Sequence, residues 1–174
     1  MRQQLKALAL TALLAGPLAS GVAVAGTVPS VPDEDRVQIL DLISAYSHTY
    51  DSRDVESFIG LFTDDAVWEY YGSGGTKLLF RFNRQELRAA VTKRLEGLKT
   101  RGIQSRHYQT NTLLTPVAAG KVEATTIFNI TWQVPDEKPV LVTTGIFRDV
   151  VVKTAAGWRF ARRTELVDQS DLAR

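Results

Sequence analysis

The sequence predicts a single α+β domain in which helices cover one side of a long, curling antiparallel sheet. Helical periodicity fills the first part of the chain, and from Ile103 onward it gives way to four extended segments rich in Thr, Val, Ile and aromatic residues. At 174 residues the chain is long enough for one ordinary core. Strands of this length twist, so the sheet has to curl, and a hollow between a curled sheet and a helix is a natural ligand site.

Residues 1–25 read as a secretory signal peptide rather than as part of the core. Arg2 and Lys6 make a positive start, an apolar run from Leu5 to Leu18 follows, and Ala23-Val24-Ala25 offers small residues to a peptidase, with cleavage before Gly26. Gly16, Pro17, Ser20 and Gly21 interrupt the run, which falls short of the ~20 apolar residues that span a bilayer. The expectation is a periplasmic or secreted protein with no stable membrane insertion after cleavage. Removing Arg2 and Lys6 also takes the formal charge from +2 to zero, which removes the electrostatic case for nucleic acid as a partner. The chain has no cysteine, so disulfides, thiolate metal sites and cysteine nucleophiles are excluded. With only His48 and His107, an all-histidine metal site is short of ligands, and no metal or organic cofactor is expected.

Gly26 to Pro32 reads as a linker and the domain as residues 33–170. Asp33, Glu34 and Asp35 suit the positive end of a helix dipole, and Val37, Leu40, Ile43, Tyr46 and Tyr50 follow at helical spacing. Asp54 caps a short second helix carrying Val55, Phe58, Ile59, Leu61 and Phe62, and Thr63-Asp64-Asp65 reads as a turn before a strand from Ala66 to Tyr71. Gly72 to Gly75 is a loop, read either as a flap over the hollow or as an ordinary surface turn. Leu78 to Phe82 is a short strand or the entry to the next helix. Asn83 with Glu86 forms a capping-box variant ahead of a third helix with Leu87, Val91, Leu95 and Leu98 on one face, stopping at Gly102. The strands then run Ile103–Thr115, Val122–Val134, Pro139–Lys153 and Trp158–Val167.

Five segments carry a family resemblance: Tyr50-Asp51-Ser52-Arg53-Asp54, Leu61 to Trp68, Arg106-His107-Tyr108-Gln109-Thr110-Asn111, Thr144 to Asp149, and Gly157 to Arg163. Their order and spacing resemble the SnoaL-like branch of the nuclear transport factor two-like superfamily over Asp33 to Val167. The resemblance implies a cone-shaped barrel with three N-terminal helices on a strongly curved antiparallel sheet, an apolar pocket at its wide end, a small hydrophobic ligand, and a homodimer. It does not choose a chemistry, since the superfamily spans dehydratases, isomerases, epoxide hydrolases, cyclases and non-catalytic members. The pocket is most similar to those of scytalone dehydratase and the bile-acid dehydratases, which implies roles for Tyr50, Asp51 and His107 and a pocket position for Tyr70. A second catalytic histidine of the scytalone enzyme has no counterpart around Thr144.

The residue chemistry gives the same grouping a physical reading. An imidazole can take a proton next to a carbonyl, and a carboxylate on its other nitrogen fixes the tautomer and stabilises the cation formed. Asp51 and His107 suit those roles, and Tyr46, Tyr50 and Tyr70 are candidate donors to a developing enolate. On the helical wheel Asp51 shares a side with Leu40, Ser44 and Ser47. His107 shares strand parity with Ser105, Gln109 and Asn111, an unusually polar face. Tyr46, Tyr70, Trp68, Asn111, Phe128 and Trp132 are candidate ligand contacts, although Phe128, Trp132 and Trp158 read more readily as core than as a ligand cage. Asp51 also reads as a cap for the second helix or a partner of Arg53, and His48 as a solvent-facing residue. Asp149 with Arg163 reads as a structural pair across neighbouring strands. Two functions follow: a cofactor-independent dehydratase or isomerase of a small hydrophobic cyclic ketone or alcohol, or a binding module that uses the same pocket without turnover.

Overall fold

Three carboxylates open α1 (Asp33–Asp51), and one of them ties the helix to the far side of the domain. Asp35 accepts from Lys153 Nζ at 2.7 Å and from Trp158 Nε1 at 3.0 Å, and these bonds hold its carboxyl below the usual carboxylate range. The computed structural model describes residues 30–168. The expected signal peptide at 1–25, most of the expected linker at 26–32 and the last residues of the expected domain lie outside them. α2 (Val55–Gly60) is capped by Asp54, whose side chain accepts from the Ser57 N–H at 3.0 Å. α3 (Arg84–Thr100) begins with both halves of the Asn83–Glu86 capping box in place, at 3.0 and 2.9 Å.

The strands are β1 (Phe62–Gly72), β2 (Lys77–Asn83), β3 (Gln104–Ala118), β4 (Lys121–Gln133), β5 (Val140–Thr154) and β6 (Gly157–Val167). They form one sheet in the order β2-β1-β6-β5-β4-β3. The expected curved α+β fold is present, as an open sheet whose edges are β2 and β3. Its curvature is visible in the packing: α3 touches β1 and β2 at one edge and β3 at the other, and α1 touches both β3 and β6. A flat sheet could not offer both edges to one helix. The pairing is antiparallel throughout except between β1 and β6, which run parallel.

Strand direction gathers the site at one end of this sheet. With β1, β6 and β4 running one way and β2, β5 and β3 the other, the C-terminal ends of the first three lie beside the N-terminal ends of the second three. Tyr70, Glu165 and Trp132 therefore share an end with Phe80, Gly145 and His107.

Two local expectations shift, and one left open is decided. Val37 is 58% exposed, because the buried stripe of α1 runs through Ile39, Leu42, Ile43, Tyr46, Ser47 and Asp51, about one residue round from the predicted face. Thr63-Asp64-Asp65 is not a turn but the irregular start of β1, where the pairing with β6 shifts between Phe62 and Val67. Leu78 to Phe82 resolves as strand, paired to β1. Gly72 to Gly75 leads into a tight β1–β2 turn closed by Thr76 N–H to Gly72 O at 3.0 Å. A Cβ on Gly75 would sit 3.2 Å from Leu166, so this turn lies against β6.

In the core, Phe128 and Phe147 stack at 4.1 Å, and Gly145 makes room for them. A Cβ at Gly145 would stand 2.2 Å from the Leu166 carbonyl and 2.9 Å from the Phe128 ring, which no rotamer change relieves. At the centre lies Arg163, fully buried. Its Nε and Nη2 donate to the two Asp149 carboxylate oxygens at 2.8 and 2.7 Å, and Nη2 also reaches Gln109 Oε1 at 3.2 Å. Its guanidinium carbon sits 3.9 Å from the Tyr46 ring centre, 4.1 Å from Phe147 and 4.3 Å from Phe160. Burial raises the Asp149 carboxyl against the pull of this guanidinium. The expected cross-strand pair is thus a desolvated one, at the middle of an aromatic box.

Candidate active site

Asp51 is the last residue of α1, and its carboxylate points onto the first turns of β3. Oδ1 lies 2.7 Å from His107 Nδ1 and accepts from Ser105 Oγ at 3.0 Å, while Oδ2 accepts from the His107 backbone N–H at 2.8 Å. Beside it, the Gln104 side chain donates to the Asp51 carbonyl at 2.9 Å. Neither alternative reading of Asp51 holds: Asp54 caps α2, and Arg53, at φ 64°, donates to the Ile103 carbonyl at 2.9 Å. His48 is exposed.

The side chains of His107 and Asp51 are 6% and 10% exposed. A carboxylate accepts only, so the short contact places a proton on Nδ1 and leaves the Nε2 lone pair free. Tyr50 packs edge-on to the imidazole at 4.7 Å between ring centres and Tyr46 at 6.3 Å. Burial pushes the Tyr50 and Tyr70 phenols up to about 12 and Tyr46 further still, so all three remain hydrogen-bond donors at neutral pH.

The remaining candidates divide. Trp68 and Tyr70 on β1 stand beside Phe82 and Phe80 on β2, with Trp68 stacked on Phe82 at 5.8 Å and Tyr70 tilted against Phe80 at 6.0 Å, forming an aromatic wall. Tyr50, Trp68, Tyr70, Phe82, Ile130 and Trp132 all pack on the core and stay half-buried. Trp132 has Arg94 and Arg101 over its ring at 5.1 and 5.5 Å. Phe128 is fully buried and belongs to the core. Asn111 does not line the interior. It occupies a bulge where the β3–β4 register shifts, at φ 54°, and is exposed, so that Thr112 points inward instead and bonds Thr126 at 3.0 Å. Two surface hollows of about 210 and 240 Å³ lie away from this end, one beside Arg84 and Arg88 and one on the outer sheet face beside Arg148 and Arg162.

One residue of the site has no place in the sequence reading. Glu165 is 6% exposed on β6, between Tyr70 of β1 and Phe147 of β5, and burial pushes its carboxyl up to about 7 even with Arg163 nearby. Alternation from Trp158 and Phe160 would send Arg163 and Glu165 outward. A bulge at Ala161, where Phe160 pairs with Val151 but Arg162 with Val150, reverses the parity and turns both inward. The detectable signal is the inward period Arg163, Glu165, Val167, out of step with Trp158 and Phe160.

Comparison with known proteins fits this frame. The SnoaL-like domain matches residues 33–164, most of the chain. The chain belongs to the SnoaL-like family. An NTF2-like protein with a cystatin-like fold from Novosphingobium aromaticivorans is similar at 26% identity, with a TM-score of 0.64, over 81% of this chain and 87% of that one. ActVI-ORFA from Streptomyces coelicolor is similar at 25% identity with a TM-score of 0.63, over 76% and 96%. A Novosphingobium aromaticivorans protein provisionally described as a scytalone dehydratase shares the fold at 20% identity and a TM-score of 0.63, over 81% and 89%. No curated protein sequence matches the chain significantly. Within this SnoaL-like domain, the buried carboxyl of Glu165 makes stability depend on pH. A carboxyl whose folded value is raised stabilises the fold below its unfolded value, here 4.5, and that contribution is lost as pH rises towards about 7. Glu165→Gln should therefore gain stability relative to the parent as pH rises through that window, by up to about 3 kcal/mol, in chemical denaturation at a series of pH values. A gap that does not change with pH would contradict it.

Proposed function

We propose that this SnoaL-like domain is a cofactor-independent dehydratase or isomerase of a small hydrophobic cyclic ketone or alcohol. The observation that supports this reading best is the Asp51 carboxylate, held by Ser105 Oγ and the His107 backbone N–H and placed 2.7 Å from His107 Nδ1. That arrangement leaves Nε2 as a base with its orientation fixed. Nε2 takes a proton from the carbon next to the substrate carbonyl, and Asp51 stabilises the imidazolium that forms. Tyr50 or Tyr70 donates to the enolate oxygen as charge builds there. The half-buried aromatic wall of Trp68, Tyr70 and Phe82 suits a flat, apolar ring.

The test uses 1-tetralone in D₂O, following α-deuterium incorporation by NMR. The parent protein is expected to accelerate exchange, and His107→Ala and Asp51→Asn each to lower the rate by roughly 10²- to 10⁴-fold. The double variant should be little worse than either single one, because both remove the same working unit. Binding of 1-tetralone with no exchange by the parent would instead make the domain a ligand-binding module.

The reading includes a homodimer formed through the outer sheet face. Thr125, Ile127, Asn129 and Thr131 alternate along that face of β4, and Ile127 is 43% exposed beside Tyr108 at 52% on β3. Sedimentation at micromolar concentration should show a dimer that Ile127→Lys converts to a monomer; a monomeric parent protein would contradict it.

A further inference from the structure

Elimination of water needs two proton transfers, one from carbon and one to the departing oxygen, and the Asp51–His107 pair accounts for the first. Glu165 stands at the same end of the sheet. β6 carries it at its C-terminal end, next to the C-terminal end of β1 and the N-terminal end of β5, on the inward face set by Arg163 and Val167. Its neighbours across the ladder are Tyr70 and Phe147. Three phenols feel its charge: Tyr46 and Tyr50 from α1, which also flank the His107 ring, and Tyr70 from β1. Among the described residues, the other charged groups acting on Glu165 or on these phenols include Arg163 on β6, paired to Asp149 of β5, Arg94 from α3, which acts on Tyr50 and Tyr70, and Asp51, which acts on Tyr50.

The carboxyl of Glu165 is nine-tenths buried and has no hydrogen-bond partner among the described residues. It is also not sealed in: among the described residues, the fully enclosed side-chain atoms without a partner are Trp68 Nε1 and Arg163 Nη1. A buried acid left without a partner is costly wherever packing alone is at stake. The Arg163–Asp149 pair, two residues away on the same strand face, is by contrast bonded at both carboxylate oxygens.

We infer that Glu165 is the second proton-carrying group of the site, the acid that protonates the β-hydroxyl as it leaves a cyclic β-hydroxy ketone. This rests on the reading of His107 as the base. Nε2 of His107 takes the α-proton, and the C–H electron pair passes into the enolate. As the enolate collapses, the C–O bond at the β-carbon breaks and its electron pair stays on oxygen. The Glu165 carboxyl proton goes to that oxygen, water departs and a C=C bond forms. His107 is left as imidazolium and Glu165 as carboxylate, and transfer of one proton from the first to the second through solvent restores both. Burial holds the Glu165 proton up to neutral pH, as this role requires.

Two probes separate the two transfers. 1-Tetralone has an α-proton and no leaving group, so its deuterium exchange reports His107 alone, whereas 3-hydroxy-1-tetralone must lose water to give fluorescent 1-naphthol. Glu165→Gln is expected to slow 1-naphthol formation by roughly 10²-fold or more beyond any loss it causes in 1-tetralone exchange. The exchange reaction doubles as the folding control. Glu165→Asp, which keeps a carboxyl, should recover part of the 1-naphthol rate. Equal loss of both reactions in Glu165→Gln, or loss of neither, would overturn the role of Glu165 with the His107 reading intact. A parent protein that exchanges no α-proton would remove the His107 reading, and the role of Glu165 with it.

Discussion

A guanidinium with no access to water is the constraint on which the interior of this domain depends. Burying Arg163 requires its charge to be answered, and the fold does so with Asp149 from β5, Gln109 from β3 and the rings of Tyr46, Phe147 and Phe160, while Nη1 is left without a hydrogen-bond partner. These five partners come from four elements, so the residue that would be hardest to bury fixes how α1, β3, β5 and β6 meet. Gln109 passes the constraint on, donating to the Ile43 carbonyl and to Ser47 Oγ of α1, each at 2.7 Å. The helix is thereby held against β3 in the register that delivers Asp51 to His107 one turn later.

The site follows from that register. Asp51 receives three donors from the first residues of β3, so helix end and strand start are joined by side chain and backbone together. His107 is consequently oriented before any ligand arrives, which is the kind of preorganisation that general base catalysis exploits. The curvature of the sheet supplies the rest. It brings β1, β2 and β3 against α3, and β3 and β6 against α1, so opposite edges of a six-stranded sheet meet the same helices.

Much of this is legible in the residues, and the exceptions have local causes. Capping chemistry is short-range, and Asn83 with Glu86 and Asp54 with Ser57 are readable because each interaction spans only three residues. Asp51 and His107 are readable because residue type and position both restrict them. Parity fails at the bulges. Asn111 is turned out by one and Glu165 turned in by another, and neither bulge has a marker such as Gly at the shifted residue. The parallel pairing of β1 with β6 is equally silent, since it joins segments nearly a hundred residues apart. The turn reading of Thr63 to Asp65 fails for a related reason: three polar residues at a strand start are tolerated where the pairing with β6 is broken.

The account turns on which nitrogen of His107 carries the proton. Asp51 at 2.7 Å from Nδ1 assigns it to that nitrogen and leaves the lone pair on Nε2. Long-range ¹H–¹⁵N correlation spectra of the protein labelled at its histidines report the two ring nitrogens directly, and His107→Gln identifies the resonances. The account predicts that neutral His107 is protonated at Nδ1 in the parent and loses that preference in Asp51→Asn. A proton found on Nε2 of neutral His107 in the parent would contradict it.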